Sequence, residues 1–207
     1  MIRAPSLLAV RDLGYDTPDG RPLVRGLSFA INHGEALVVS GQNGSGKSTL
    51  LGLLAGQNRA VHGVIDLRTK SLGFLSQLHN REFHIPVTLS DVLSFGGVSS
   101  SNARAALDIG LLSADELGLG WNTASGGERQ KTLITRFLLM QPELLILDEP
   151  ANHLGFDSRK TLCRILRKYI EDGRRSLIMV CHESALEDTD WNFAPAIHLG
   201  KYAVTAC

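Results

Sequence analysis

A glycine-rich segment constrains the fold of this chain more than any other feature of its sequence. The apolar run 36–39 precedes it and the leucine-rich run 50–54 follows it, which indicates a strand that turns into a helix. Such a turn directs consecutive backbone N–H groups to one point, at the positive end of the helix dipole, where an anion binds. The pattern G-x-x-x-x-G-K-[ST] therefore predicts a phosphate loop. Its members are Gly41, Gln42, Asn43, Gly44, Ser45, Gly46, Lys47, Ser48 and Thr49.

The residues of this phosphate loop have separate expected tasks. The three glycines let the backbone approach phosphate oxygens, which side chains at those positions would obstruct. Lys47 is expected to reach the β- and γ-phosphates, and the Ser48 hydroxyl to bind Mg²⁺. The competing interpretation is a glycine-rich turn without a ligand, and the strand before and the helix after argue against it.

Two adjacent acids follow a second apolar run at residues 144–147. We expect a strand buried on both faces, whose carboxyl end lies at the same sheet edge as the phosphate loop. Because side chains alternate along a strand, the two carboxylates have different expected roles. Asp148 would hold Mg²⁺ through its water shell, and Glu149 would face an attacking water. The alternative is a solvated strand end.

The first part of the chain predicts an antiparallel hairpin. Residues 7–15 and 23–31 have alternating character and flank a turn at residues 17–20. Tyr15 is expected at the hairpin tip, where its ring could stack on a purine base. The alternative for Tyr15 is an ordinary half-buried strand tyrosine.

A short segment before the helix predicted at residues 129–140 combines a cap with two glycines. Ser125 and Glu128 form the S-x-x-E pattern of a capping box. Gly126 and Gly127 weaken the first turn, so we expect that exposed N–H groups are required there for another purpose. Taken alone, the segment could also serve only as a helix cap.

The remaining segments complete an α/β pattern. Strands are expected at residues 61–67 and 72–75, followed by Gln77, and residues 90–119 predict a mostly helical insertion. A helix is expected at residues 157–170. A buried strand at residues 176–181 ends at His182, which would lie at the sheet edge of the phosphate loop. A histidine at a strand end is usually structural, but this position favours a catalytic role.

Composition limits the class of function and the compartment. Lys plus Arg and Asp plus Glu balance at 21 each, which gives no electrostatic argument for a nucleic-acid partner. Cys163, Cys181 and Cys207 lack CxxC spacing, which favours a reducing compartment such as the cytoplasm. Neither a signal peptide nor an apolar run of ~18 residues is present, so a partner would have to supply any membrane spans.

With these residues identified, the chain resembles the nucleotide-binding subunit of ABC transporters over nearly its whole length. The phosphate loop, Gln77, the Ser-Gly-Gly-Glu segment, the acid pair and His182 occur in the order typical of that family. The resemblance implies a P-loop NTPase fold with a mainly parallel core sheet and an N-terminal antiparallel β subdomain. It also implies a single domain over residues 1–207, with a helical subdomain inserted at about residues 78–140, and hydrolysis of ATP with Mg²⁺.

The resemblance also implies site roles. Tyr15 matches the adenine-stacking aromatic, and Lys47, Ser48 and Thr49 match phosphate and Mg²⁺ contacts. The residues that match the catalytic and metal-sensing positions are Gln77, which senses the metal and the attacking water, Glu149, the catalytic base, and His182, the γ-phosphate switch.

The same resemblance implies partners. Ser125, Gly126, Gly127 and Glu128, the signature segment, would contact ATP bound to the opposite subunit of a head-to-tail ATPase dimer, identical or mixed. The segment after Gln77 would receive coupling helices of a multi-span membrane permease. An importer would add a solute-binding protein. No nucleic-acid partner is expected, and the subunit would lie peripherally on the cytoplasmic face of the cell membrane.

Two positions depart from the family pattern. Ala124 stands where the signature usually has leucine, and Gly155 where an acid usually follows Leu154. Gly155 puts in doubt the contact between subunits that ties hydrolysis to dimer geometry. Neither departure removes a group needed for the chemistry, so hydrolysis is still expected. Residues 77–95 resemble the ATPases of zinc and manganese importers, although His79 and His84 are not expected to bind the transported ion.

The sequence leaves two other functions of ABC proteins open. The Gly-Gly-Glu-Arg sequence at residues 126–129 has some likeness to soluble ABC ATPases that act in a scaffold for iron–sulfur assembly. The sequence of residues 149–154 suggests nucleic-acid or ribosome-associated ABC proteins, which would be expected to have tandem cassettes or long insertions.

Overall fold

The structure, a computed structural model, describes residues 6–17, 20, 22–58, 62–76, 82–95, 102–181, 194–199 and 204–206. The strands are β1 (Leu8–Asp16), β2 (Pro22–Ile31), β3 (Ala36–Gly41), β4 (His62–Leu67), β5 (Leu72–Leu75), β6 (Leu144–Asp148), β7 (Ser176–Val180), β8 (Ala196–Leu199) and β9 (Val204–Ala206). The helices are α1 (Lys47–Leu54), α2 (Leu89–Ser94), α3 (Asn102–Ile109), α4 (Ala114–Leu117), α5 (Gly126–Met140) and α6 (Phe156–Ile170).

The central sheet has the strand order β5-β6-β7-β3-β8-β9, and among these described strands only the β8–β9 pair is antiparallel. The three apolar runs of the sequence form the neighbouring strands β6, β7 and β3, which are buried on both faces. Val180 of β7 is paired with Val39 on one side and with Asp148 on the other. The phosphate loop and the acid pair therefore leave the sheet at the same edge, as predicted.

A second sheet confirms the predicted hairpin and extends it. Strands β1 and β2 pair antiparallel, with Leu8 opposite Ile31, and β4 joins the other side of β1 to give the order β2-β1-β4. The β1 ladders are irregular after Val10, and Asp12 has a positive φ of 48°. Such an irregularity changes which side chains face the core.

The core has two apolar layers, one on each face of the central sheet. Leu37 and Val39 of β3 pack with α1 and the antiparallel sheet. Ala36 and Val38 face the other way and pack with α5 and α6. Burial of a side chain such as leucine or valine stabilises the fold by about 1.5–3 kcal/mol relative to exposure. The strands carry apolar residues at consecutive positions because both of their faces are covered.

The helical insertion has smaller cores of its own. One contains Val87, Leu89, Val92, Trp121 and Ala124, and the other contains Leu93, Ala106, Leu112 and Leu117. Helix α5 contacts both of these cores and also the central layer. The helices α2, α3 and α4 occupy the segment predicted to be mostly helical. The division into one domain with a helical subdomain at about residues 78–140 stays a prediction.

Several predicted residues lie outside the described part of the chain. Gln77, His79, His182 and Cys207 are among them, as are Pro18 and Asp19 of the predicted hairpin turn. Within the part that the structure describes, no helix has the length and apolar character needed to cross a bilayer.

Candidate functional site

The first glycine of the phosphate loop is fixed by the neighbouring strand. Gly41 has a φ of 146° and pairs with Leu199 of β8. A Cβ atom at this position would lie 2.4 Å from Leu199 O and 2.9 Å from Ser45 Oγ. A side chain there would collide with backbone, so the glycine is required by the sheet itself, in addition to the phosphate approach that the sequence predicted.

Tyr15 packs beneath the loop, and its ring is buried in this structure rather than exposed for stacking on a base. The residue is only 2% exposed, and its hydroxyl donates to Gly46 O at 2.9 Å. Burial raises the pKa of this hydroxyl. A Cβ atom on Gly46 would lie 2.9 Å from the Tyr15 ring, so ring and loop are in close contact. Thr17 and Leu23 line the cleft above the loop, whereas Tyr15 does not.

Lys47 is held at the centre of the loop. Its side chain is 6% exposed, and Nζ donates to Gly41 O at 2.7 Å and to Gln42 O at 2.9 Å. Two carbonyl dipoles therefore compensate a largely buried ammonium group, which would otherwise be costly. Asn43 and Gly44 lie on the exposed outer turn of the loop. This arrangement brings a positive charge and the first N–H groups of α1 to one cleft.

Asp148 is hydrogen-bonded to Ser48, a residue of the cleft, and has the properties of a cation ligand. It is 2% exposed, and among the described residues its Oδ1 has no hydrogen-bond partner. Burial raises the pKa of this carboxyl, although a hydrogen bond from Ser48 and the charge of Lys47 oppose the effect. Mg²⁺ prefers hard oxygen ligands such as a carboxylate. Ser48 and Asp148 therefore fit a magnesium ion, and their role as its ligands stays a prediction.

Glu149 lines the cleft and has an unusual backbone conformation. Its φ is 49°, a left-handed value that a non-glycine residue rarely adopts. With Asn152 it lines a cleft of about 640 Å³ together with Lys47 and Ser48. The Asn152 Nδ2 atom donates to Glu149 Oε2. The structure thus brings the predicted lysine, metal ligand and base to one cleft, which has the size of a small-ligand site.

The signature segment forms the predicted capping box at the start of α5. Ser125 N donates to Glu128 Oε2 at 2.6 Å, and Glu128 N donates to Ser125 Oγ at 3.2 Å. None of these four residues, all described, lines the cleft. A Cβ atom on Gly127 would lie 2.6 Å from His153 O, so this glycine also has a packing reason within the chain.

Sequence patterns indicate no cleft role for Thr17, Leu23 or Asn152, although all three line the cleft. Asn152 matters most among them, because it contacts Glu149. A signal existed, because an amide three residues after a proposed base can reach back across a turn. The left-handed φ of Glu149, which makes that contact possible, has no sequence signature.

A comparison with sequence models of known families identifies the family of this chain. The sequence model of the ABC transporter family matches residues 24–152, more than half of the chain. The chain belongs to the ABC transporter family. The P-loop NTPase fold is thereby confirmed, and this ABC protein is an ATPase that uses ATP with Mg²⁺.

Relatives of this ABC ATPase have more than one transport role. It is 28% identical over 184 residues to the Probable metal transport system ATP-binding protein of Thermotoga maritima. This alignment covers 86% of this chain and 75% of the relative. It is 30% identical over 208 residues to the lipoprotein-releasing system ATP-binding protein LolD of Pseudomonas syringae. This alignment covers 87% of this chain and 90% of the relative.

A solved structure is similar to nearly the whole chain. It is described as an inward-facing conformation of an ABC transporter of the metal-chelate type, and its matching chain is 27% identical. The superposition has a TM-score of 0.80 and covers 98% of this chain and 83% of the other. The two sheets and the helical segment therefore have the arrangement found in an ABC transporter ATPase.

Proposed function

We propose that this ATPase energises the import of a metal ion through a membrane permease. That the chain is an ATPase of an ABC transporter follows from its family. The metal is supported by two relatives, one named for metal transport and one described as of the metal-chelate type. The observation that carries the catalytic part is the common cleft of Lys47, Ser48 and Glu149.

In the proposed mechanism, Glu149 acts as general base. A water oxygen attacks the γ-phosphorus, the bond to the β–γ bridging oxygen breaks, and ADP leaves. The proton of the water passes to the Glu149 carboxylate. Lys47 and the N–H groups of the loop oppose the negative charge that develops on the γ-phosphate oxygens. Mg²⁺, held by Ser48 and Asp148, would neutralise phosphate charge when bound. The roles of Gln77 and His182 stay predictions.

The proposed assembly is a head-to-tail ATPase dimer on the cytoplasmic face of a permease. The exposed segment Ser125–Gly126 is available to a second subunit, and the N–H groups of the first α5 turn would then meet the γ-phosphate bound by that subunit. A solute-binding protein would complete an importer. The ATPase has to change shape during turnover in order to drive the permease.

A second candidate has support from the comparisons. The lipoprotein-releasing ATPase LolD is matched along 90% of its length, at an identity similar to that of the metal-transport relative. A lipoprotein-releasing system would have different membrane partners and no solute-binding protein for metals.

The test combines turnover with partner identification. Glu149→Gln keeps the shape of the side chain and removes the base, so we expect ATP turnover at least ~100-fold lower with MgATP binding retained. Glu171→Gln is the matched control, because Glu171 is exposed at the end of α6 and remote from the cleft. Turnover of Glu149→Gln at the parent rate would exclude Glu149 as the base.

The tagged Glu149→Gln protein is then purified with MgATP from detergent-solubilised membranes. Copurification of a multi-span permease whose transport of Zn²⁺ or Mn²⁺ depends on this ATPase supports metal import. A permease that releases lipoproteins supports the second candidate. Recovery only with soluble partners would contradict both and favour an assembly scaffold.

A further inference from the structure

We propose that Asn152 is a positioning residue, which holds the Glu149 carboxylate in the orientation needed to accept a proton from the attacking water. This inference rests on the proposed function of Glu149 as the general base. Asn152 lines the ATP cleft beside Glu149 and contacts its carboxylate, but its amide does not titrate and cannot itself accept the proton.

Two hydrogen bonds join Asn152 to Glu149. The backbone N of Asn152 donates to Glu149 O at 3.1 Å and closes a turn, while Nδ2 of the same residue donates to Glu149 Oε2. The backbone contact places the amide group, and the side-chain contact then fixes the carboxylate.

The turn between the two residues is itself held firmly. Ala151 and Leu154, on either side of Asn152 in the chain, are both buried. Gln130, a buried residue of α5, donates from Nε2 to Pro150 O at 3.4 Å. These contacts stabilise the left-handed backbone of Glu149, a conformation that is unfavourable for a residue with a side chain. The amide donor is therefore presented from a rigid support.

The position of the contact between Asn152 and Glu149 argues against a purely structural role. A structural asparagine of the same kind exists at the opposite edge of the sheet, where Asn32 Nδ2 donates to Glu35 Oε1 at 2.9 Å in the turn before β3. That pair lies outside the cleft. The Asn152 pair lies inside it, with its acceptor on the group that performs the proposed proton transfer. Fixing this group in advance removes rotational freedom that would otherwise be lost in the transition state.

The experiment compares Asn152→Leu, which keeps the approximate shape but has no donor, with the control Asn32→Leu. A hydrogen bond to a charged group is lost, so kcat for MgATP should fall roughly tenfold or more in Asn152→Leu. KM and the equilibrium affinity for MgATP should stay within about twofold of the parent, because the contact orients the base and does not bind ATP. Asn32→Leu should affect thermal stability only.

A double-mutant cycle tests whether Asn152 acts through Glu149. Adding Asn152→Leu to Glu149→Ala should not lower the residual single-turnover rate further, because no carboxylate remains to be positioned. A crystal structure of Asn152→Leu should find the Glu149 carboxylate displaced from its place in the cleft.

Several outcomes would overturn the inference. These are an unchanged or increased kcat in Asn152→Leu, a loss of kcat equal to that in Asn32→Leu, and a further loss in the Glu149→Ala background. The two proposals fail separately. Parent-like turnover of Glu149→Gln removes the assignment of the base, whereas loss of turnover there with parent-like Asn152→Leu removes only the positioning role.

Discussion

Tyr15 allows the sharpest test of how the phosphate loop is supported. If the buried ring holds the loop, Tyr15→Phe removes only the hydroxyl that donates to Gly46 O. Gly46 O also accepts from Leu50 N at 2.8 Å, so the carbonyl keeps a partner and the loss is that of one hydrogen bond. We expect the free energy of unfolding to fall by about 1 kcal/mol.

A larger ring separates support of the loop from stacking on adenine. Tyr15→Trp adds volume to a site that is already filled, so we expect it to cost about 1–3 kcal/mol of stability and to weaken MgATP binding by distorting the loop. A stacking residue would behave in the opposite way, because indole stacks on a base at least as well as phenol does.

The assay is urea unfolding combined with equilibrium binding of MgATP for each variant. Tyr169→Phe is the matched control, since Tyr169 is also buried and donates to a backbone carbonyl, Pro142 O at 2.5 Å, on the face of the sheet away from α1. It should lower stability and leave ATP affinity unchanged. Unaltered stability in Tyr15→Phe, together with tighter ATP binding by Tyr15→Trp, would refute the reasoning.

Two further predictions concern packing and charge. Gly41→Ala places a Cβ 2.4 Å from the backbone O of Leu199, so it should lower the free energy of unfolding by more than about 3 kcal/mol. Gly44→Ala has no neighbour within 4 Å and should lower it by about 1 kcal/mol because of its positive φ. Equal losses of stability in urea unfolding would contradict the contact at Gly41. Lys131 pairs with Glu116, and both side chains are partly buried; burial raises the Glu116 pKa, but hydrogen bonds from Lys131 and Ser113 outweigh it, so the pKa lies below that of a free glutamate. Lys131→Met should therefore cost ~1 kcal/mol or more at pH 7. This cost should shrink as the pH falls through the folded pKa of Glu116, and a cost independent of pH would contradict the pairing.

The parts of the fold that sequence predicts well are those with a strong local pattern. The apolar runs of β3, β6 and β7 predict buried parallel strands because both faces need apolar side chains. The phosphate loop and the capping box of Ser125 and Glu128 are equally predictable from sequence, since each depends on residues close together in the chain.

The orientation of the Tyr15 side chain cannot be predicted from the local sequence in the same way. Leu8 and Val10 face the core, and simple alternation from them would place Tyr15 on the opposite face. The irregularity around Arg11 and Asp12 shifts the alternation, so that Leu13 and Tyr15 are buried instead. Nothing in the local sequence marks this irregularity.

The contact between Asn152 and Glu149 is hidden for a related reason. It depends on a positive φ at Glu149, and glutamate is not a residue type that ordinarily indicates a left-handed backbone. Tertiary contacts with α5 support this turn, as the hydrogen bond from Gln130 to Pro150 O illustrates. Sequence patterns locate the base but not the group that orients it.

The strand order of the central sheet has a consequence for folding on the ribosome. The antiparallel sheet β2-β1-β4 is complete once Leu67 has been synthesised, but β3, which carries the phosphate loop, pairs only with β7 and β8. At roughly 5–20 residues per second, β3 waits on the order of ten seconds for its neighbours. During that time a strand apolar on both faces lacks its native partners, and such segments are prone to aggregation. The nascent chain therefore acquires its ATP cleft only after most of its length has emerged, and chaperone binding before that point would protect β3.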